Sequence, residues 1–262
     1  MKYLIINADD FGLTPGVTRG ILDAHLNGVV TSTSAMMNSP HIAESLAAAF
    51  RDAPNLGIGV HLVLTWGKPI LSQEKISTLV DNTGHFYKIH QLSQKVDNFR
   101  SDDVRAEWHS QIQAFITSGC RPDHLDSHHH SSYLNPNLFT IMLDLAREFD
   151  LPIRMPSKPE GSSQKIEPFV QILDEHTVRY PQSCITAFYD EGASLANLSR
   201  ILSVLPEGVT ELMCHPGYAD CELMEGSSYT NARETELQIL TGNEIKAFIK
   251  DNNISLARFS DL

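Results

Sequence analysis

The sequence predicts an α/β fold with a mostly parallel sheet. Short apolar runs alternate with helical stretches along the whole 262-residue chain, the signature of repeated βα units. The first run, Lys2–Asn7, is apolar at successive positions and rich in Ile, as in a strand covered on both faces. The length suits one domain, because an α/β barrel takes roughly 250 residues. These observations predict a single-domain, TIM-like β/α barrel, irregular in its strands, with its site at the C-terminal strand ends.

The elements follow in order. After Lys2–Asn7, Thr14-Pro15 supplies an N-cap and a proline at the first helical position, and Gly28 supplies the stop. Val29–Asn38 reads as a second strand, Ile42–Arg51 as an Ala-rich helix, and Leu56–Leu64 as a third strand. Ser101-Asp102-Asp103 opens a helix running to Gly119, with acidic residues at its positive end. His124–Ser127 is short and strand-like, Pro136–Phe149 is helical, and Leu151–Met155 is a strand. Cys184–Tyr189 and Thr210–Cys214 are strands around a helix near Leu195–Leu205. Helices at Ala232–Leu240 and Asn243–Lys250 precede a last strand at Ile254–Phe259. About seven strands are of good quality, so the barrel is expected to be irregular or incomplete. Residues 66–100 break the rhythm without a persistent period, as an inserted lid, a substrate-binding insertion or surface decoration would.

Composition narrows the function. A net charge of -12 argues against nucleic acid and against an anionic membrane surface, both of which need clustered Lys and Arg. A neutral substrate such as a sugar, or one held through a bound cation, fits better. No stretch approaches the roughly 20 apolar residues of a membrane span, and the N-terminal apolar run is too short for a signal peptide. Cys120, Cys184, Cys214 and Cys221 form no CxxC pair and read as reduced thiols of a cytoplasmic protein.

The chemistry gathers at strand ends. Asp9 and Asp10 follow the first strand as adjacent carboxylates, which need a cation or a shared proton between them unless they only cap a turn. His61 lies in an otherwise apolar third strand, where a hydrogen-bonded core histidine is the blander reading. His124–His130 packs four histidines and Asp126 into seven residues, and if the strand persists through them alternation puts His124, Asp126 and His128 on one face. His215, before Pro216-Gly217, closes a fourth strand. Imidazoles with carboxylates suit zinc and similar divalent ions.

Taken together, these segments resemble the YdjC-like carbohydrate deacetylases, whose named activity is chitooligosaccharide (chitin disaccharide) deacetylase. The resemblance rests on NADDFG at Asn7–Gly12, VTSTSAMMN at Val30–Asn38, GVHLVLTWGKP at Gly59–Pro69 and HLDSHHH at His124–His130. AFYDE at Ala187–Glu191 and MCHP at Met213–Pro216 complete it. It spans residues 1–262 as one carbohydrate deacetylase domain with an insertion at about 66–100, and is least clear over Gly67–Arg100 and Pro156–Gln182. It implies a TIM-like barrel, a homodimer, and removal of one acetyl group from an N-acetylated oligosaccharide. It also implies one divalent ion, Mg or Zn, held by Asp10, His61 and His128. Asp9 would be the general base and His215 the general acid, with His124, Asp126 and Arg154 supporting them or binding substrate. Hydrolysis of another acetylated sugar, or of a glycosidic or phosphoester bond, stays open on the residues alone, with Asp9 and Asp126 as a candidate glycosidase pair.

Overall fold

The computed structural model of the protein describes residues 1–157 and 166–262. The sheet is built on β1 (Lys2–Phe11), whose side chains are buried from Leu4 onward. Its companions are β2 (Ser32–Ala35), β3 (Gly57–Leu62), β4 (Leu125–Ser127), β5 (Ser183–Ile185), β6 (Gly208–Cys214) and β7 (Ile254–Ala257). All pairings are parallel, in the order β4-β3-β2-β1-β6-β5. Strand β6 takes one edge of β1 over Lys2–Ala8. The other edge is divided, β7 pairing with Lys2–Ile5 and β2 with Asn7 onward.

Several expected strands are shorter than their apolar runs. Val29–Asn38 keeps regular pairing only at Ser32–Ala35, and Cys184–Tyr189 only around Ser183–Ile185. Leu151–Met155 contributes a single bridge, Ile153 to Leu125. Apolar content reports burial, whereas a strand also needs a continuous ladder, and a closely curved sheet interrupts it. The sheet does curl. Arg154, next to that bridge on the outer side of β4, touches Asp126 on β4, Asp9 on β1 and Glu211 on β6.

Alternation sorts β1 into two faces. Leu4, Ile6 and Ala8 join the main core under the helices, while Ile5 packs with Ala257 and Phe259 in a separate small cluster. Above Ile5 on that inner face come Asn7 and then Asp9, so the interior passes from an apolar floor to a polar layer. The helices form where the local signals put them. Thr14 caps the helix Pro15–Leu26 by accepting from the Val17 N–H, with Pro15 at its first position. The helix Ser101–Thr117 opens with Asp102 and Asp103.

The stretch 66–100 has little regular structure but is tied down. Val80 bridges Phe86, Ile89–Lys95 is a short helix, and Ile76, Leu79 and Leu92 are buried. Buried Glu107, on the helix Ser101–Thr117, accepts from the Ile70 and Leu71 N–H groups at 2.9 and 3.0 Å. No described helix is long and apolar enough to cross a membrane.

Candidate metal and active site

At its C-terminal end β1 changes register between Ala8 and Phe11, and Asp10 takes a left-handed backbone with φ 72°. Alternation alone would send Asp9 and Asp10 to opposite faces. The bulge re-aims Asp10, so both carboxylates line one cavity of 910 Å³. Asp tolerates this conformation better than most residues, at a cost of about 1–3 kcal/mol. His129 and His130 carry the same strain, with φ 55° and 52°, as the chain turns sharply after β4.

Three side chains converge in this cavity. Asp10 Oδ1 lies 2.9 Å from His128 Nδ1 and 3.4 Å from His61 Nε2. The ligand atoms of Asp10, His61 and His128 all lie within 4.8 Å of one another, and all three residues are buried. Arg233 Nη2 donates to Asp10 Oδ2 at 2.6 Å, which leaves Oδ1 facing the two imidazoles. A buried carboxylate oxygen facing two imidazole nitrogens requires a positive charge among them, either a proton or a metal ion. Two imidazoles and one carboxylate form a donor set suited to zinc, with coordination positions left open.

The sheet register orients the set. His61 on β3 pairs directly with Asp126 on β4, and its Nδ1 donates to Asp126 Oδ1 at 2.7 Å. That leaves Nε2 for Asp10 and the cation, since a ligating imidazole is aligned by an acceptor on its other nitrogen. Burial opposes charge on His61, but Asp126 and Asp10 outweigh it and raise its pKa to about 10. Without a metal, then, His61 supplies the missing positive charge. Asp9, His61 and Asp126 form a second convergent group. It suits a cation less well, because Arg154 already bonds to both of its carboxylates.

Asp9 is held from several sides. Arg154 Nη1 and Nη2 donate to its two oxygens at 2.7 and 2.6 Å, and Asn7 Nδ2 donates to Oδ1 at 2.9 Å. Burial would push the Asp9 carboxyl up, but the Arg154 guanidinium holds it far below the usual range. Burial acts likewise on Asp10, where Arg233 and His128 bring the carboxyl well down. Across the cavity, His215 Nε2 is 3.9 Å from Asp9 Oδ2. Burial lowers the His215 pKa to about 4, against the pull of Asp9 and Asp10.

Of the residues expected at the site, Asp9, Asp10, His61, His128 and His215 all line the cavity, and Asp126 and Arg154 lie directly beneath it. His124 does not join them. It lies just before β4 and is fully buried. Its ring stacks on Phe259 at 3.9 Å, its Nδ1 meets Asp123, and a Cβ on Gly59 would strike it at 2.4 Å. His124 is thus packed among Asp123, Gly59 and Phe259 and is not part of the cavity lining.

Other members were not anticipated. Ser34 on β2 donates to Asp126 at 2.9 Å, and Glu211 on β6 accepts from Arg154 Nε at 2.7 Å. The helix Asn231–Thr241 contributes Arg233 and Glu236, the latter accepting from the His215 N–H and the Tyr229 hydroxyl. A signal was present, since Arg233, Glu236, Leu237 and Leu240 share one helical stripe and two of them are charged. Tyr229 stacks on Tyr189 at 4.3 Å beside His215, giving that wall an aromatic surface. Trp66, Lys88 and His90 bring the 66–100 segment into the cavity lining.

This chain has close relatives. A family model described as YdjC-like protein matches residues 3–251. A carbohydrate deacetylase of Enterococcus faecalis V583 is 41% identical over 266 residues, covering 100% of this chain and 98% of its own length. A carbohydrate deacetylase of Thermoanaerobacter pseudethanolicus is 40% identical over 262 residues, covering 100% of both. A solved Enterococcus faecalis V583 structure, described provisionally as a cellobiose-phosphate cleavage protein, superposes with a TM-score of 0.92. It is 40% identical, and the match covers 99% of this chain and 98% of that one. The chain belongs to the family of YdjC-like proteins.

Proposed function

We propose that the protein is a metal-dependent hydrolase that removes an acetyl group from N-acetylated chito-oligosaccharides such as N,N′-diacetylchitobiose, releasing acetate. The two curated relatives, both named carbohydrate deacetylases, support an acetylated sugar as substrate. The single observation that carries metal dependence is the convergence of Asp10, His61 and His128 beside Asp9 and His215. A bound divalent ion, zinc or magnesium, would polarise the acetyl carbonyl and acidify a water molecule.

The chain's own residues do the rest. Asp9, kept ionised and fixed by Arg154, accepts a proton from the attacking water. The water oxygen joins the acetyl carbon, the carbon–nitrogen bond breaks, and the amine nitrogen takes up a proton. His215 Nε2 donates that proton. Burial keeps the ring neutral above about pH 4, so its proton arrives during turnover, with Asp9 as the nearest donor. The cavity holds an oligosaccharide end between the Tyr189–Tyr229 wall and the 66–100 insertion, within a single domain. In this reading the enzyme works as a cytoplasmic homodimer, in keeping with four free thiols.

A glycosidic reading needs two carboxylates flanking the scissile bond. Asp9 and Asp126 instead share Arg154, and Asp126 is fully buried with its oxygens on His61, Ser34 and Arg154. Mass spectrometry of products from N,N′-diacetylchitobiose separates the two. Acetate and an intact, partly deacetylated disaccharide support the proposal. Monosaccharides without acetate would replace it with glycoside hydrolysis.

A further inference from the structure

Two arginines reach this site, and they differ in how completely they are paired. Every nitrogen of Arg154 has a carboxylate partner: Nε meets Glu211, Nη1 meets Asp9 and Asp126, and Nη2 meets Asp9. Arg233 is also buried, and its Nε donates to the Tyr229 carbonyl at 3.1 Å and its Nη2 to Asp10 at 2.6 Å. Its Nη1 is buried without a hydrogen-bond partner among the described residues. Leaving a charged donor unsatisfied is costlier than leaving a neutral one, so such a group requires an explanation. Arg233 lines the cavity, and its guanidinium stands 5.5 Å from the Tyr229 ring, on the wall that also carries His215.

We propose that Arg233 is a substrate-binding residue of this site, with Nη1 donating to the acetyl oxygen that leaves as part of acetate. This rests on the deacetylase reading above. The acceptor chemistry matches, because a carbonyl oxygen gaining negative charge, and the acetate that follows, are both anionic acceptors for a guanidinium. The planar fork also suits the task. One guanidinium can hold Asp10, the Tyr229 carbonyl and a ligand oxygen at once, which a lysine ammonium on a flexible stem cannot reproduce. Glu236, three residues on, fixes the surroundings by bonding the Tyr229 hydroxyl and the His215 N–H.

The test compares zinc-loaded wild type, Arg233→Gln and Arg233→Lys in bound zinc, kcat and KM on N,N′-diacetylchitobiose, and inhibition by sodium acetate. Retained zinc, a kcat lower by about 100-fold in Arg233→Gln, and acetate inhibition weaker by about tenfold are expected. Arg233→Lys should recover only part of kcat. Wild-type kcat with wild-type acetate inhibition in Arg233→Gln would overturn the proposal. So would a defect fully cured by added zinc, which would reduce Arg233 to a support for Asp10. If the wild type itself releases no acetate from the sugar, the deacetylase reading fails separately. Calorimetric binding of sodium acetate to zinc-loaded wild type and Arg233→Gln then decides: weaker binding in the variant supports the role, and equal binding overturns it. Should Arg233→Gln not fold, Arg233→Lys carries the same comparisons.

Discussion

Arg154 grips both oxygens of Asp9, at 2.7 and 2.6 Å, from the opposite side of the curled sheet. The guanidinium also serves Asp126 and Glu211, so one cation compensates three buried carboxylates. Burial would lower the Arg154 pKa, but Asp9, Glu211 and Asp126 together hold it well above the ordinary arginine value.

Replacing Arg154 should therefore destabilise the whole fold. Arg154→Met leaves buried charges unpaired, and urea unfolding is expected to show a loss of about 3–5 kcal/mol. A loss below about 1 kcal/mol would mean that the carboxylates are protonated or solvated instead.

Asp126 is expected to act through His61. Asp126→Asn removes the charge that aligns the imidazole, so zinc affinity should fall by about 10–100-fold while the fold is kept. Unchanged affinity in a calorimetric titration would show that His61 does not need this partner.

Zinc binding should release a proton. The metal-free His61, raised to about 10 by Asp126 and Asp10 against burial, is protonated at neutral pH, and a metal must displace that proton. Apparent affinity should therefore fall as pH falls, and the calorimetric heat should depend on the buffer's ionisation enthalpy. Heats independent of buffer would contradict this. In the metal-free chain the same shift has the opposite sense: its stabilisation is complete below about pH 6.5 and is lost as pH rises through about 10.

Much of this arrangement was legible in the sequence, and the gaps have physical causes. Asp9, Asp10, His61, His128 and His215 follow from polar residues ending apolar runs, because parallel strands bring those ends together. Legibility stopped where a contact depends on the curvature of the sheet. Nothing local says that Arg154 reaches Asp9 across the interior, or that Glu211 meets it there. The bulge that turns Asp10 into the cavity is a backbone event that two adjacent aspartates do not announce. Arg233 and Glu236 did leave a trace, as charges on the buried stripe of their helix. Part of the weakly matched Pro156–Gln182 stretch lies outside the described residues.

Glu236 should reveal itself through pH. Burial pushes its carboxyl up to about 7 despite the donors His215 N–H and Tyr229 hydroxyl, so the folded chain keeps a proton that the unfolded chain loses near pH 4.5. The folded state binds more protons in that window, and stability from this group falls as pH rises from 4.5 to 7, then levels. Glu236→Gln cannot ionise. The unfolding free energy of wild type minus that of Glu236→Gln should therefore decrease across the window, and a flat or rising difference would refute the shift.

Acetate release from N,N′-diacetylchitobiose, measured before chelation, after chelation and after zinc or magnesium is returned, tests the account most directly. The account predicts release that stops on chelation and resumes with metal in the wild type, and fails to resume in His128→Ala. Release that persists in the thoroughly chelated wild type, or full release by His128→Ala, would contradict a metal held by Asp10, His61 and His128.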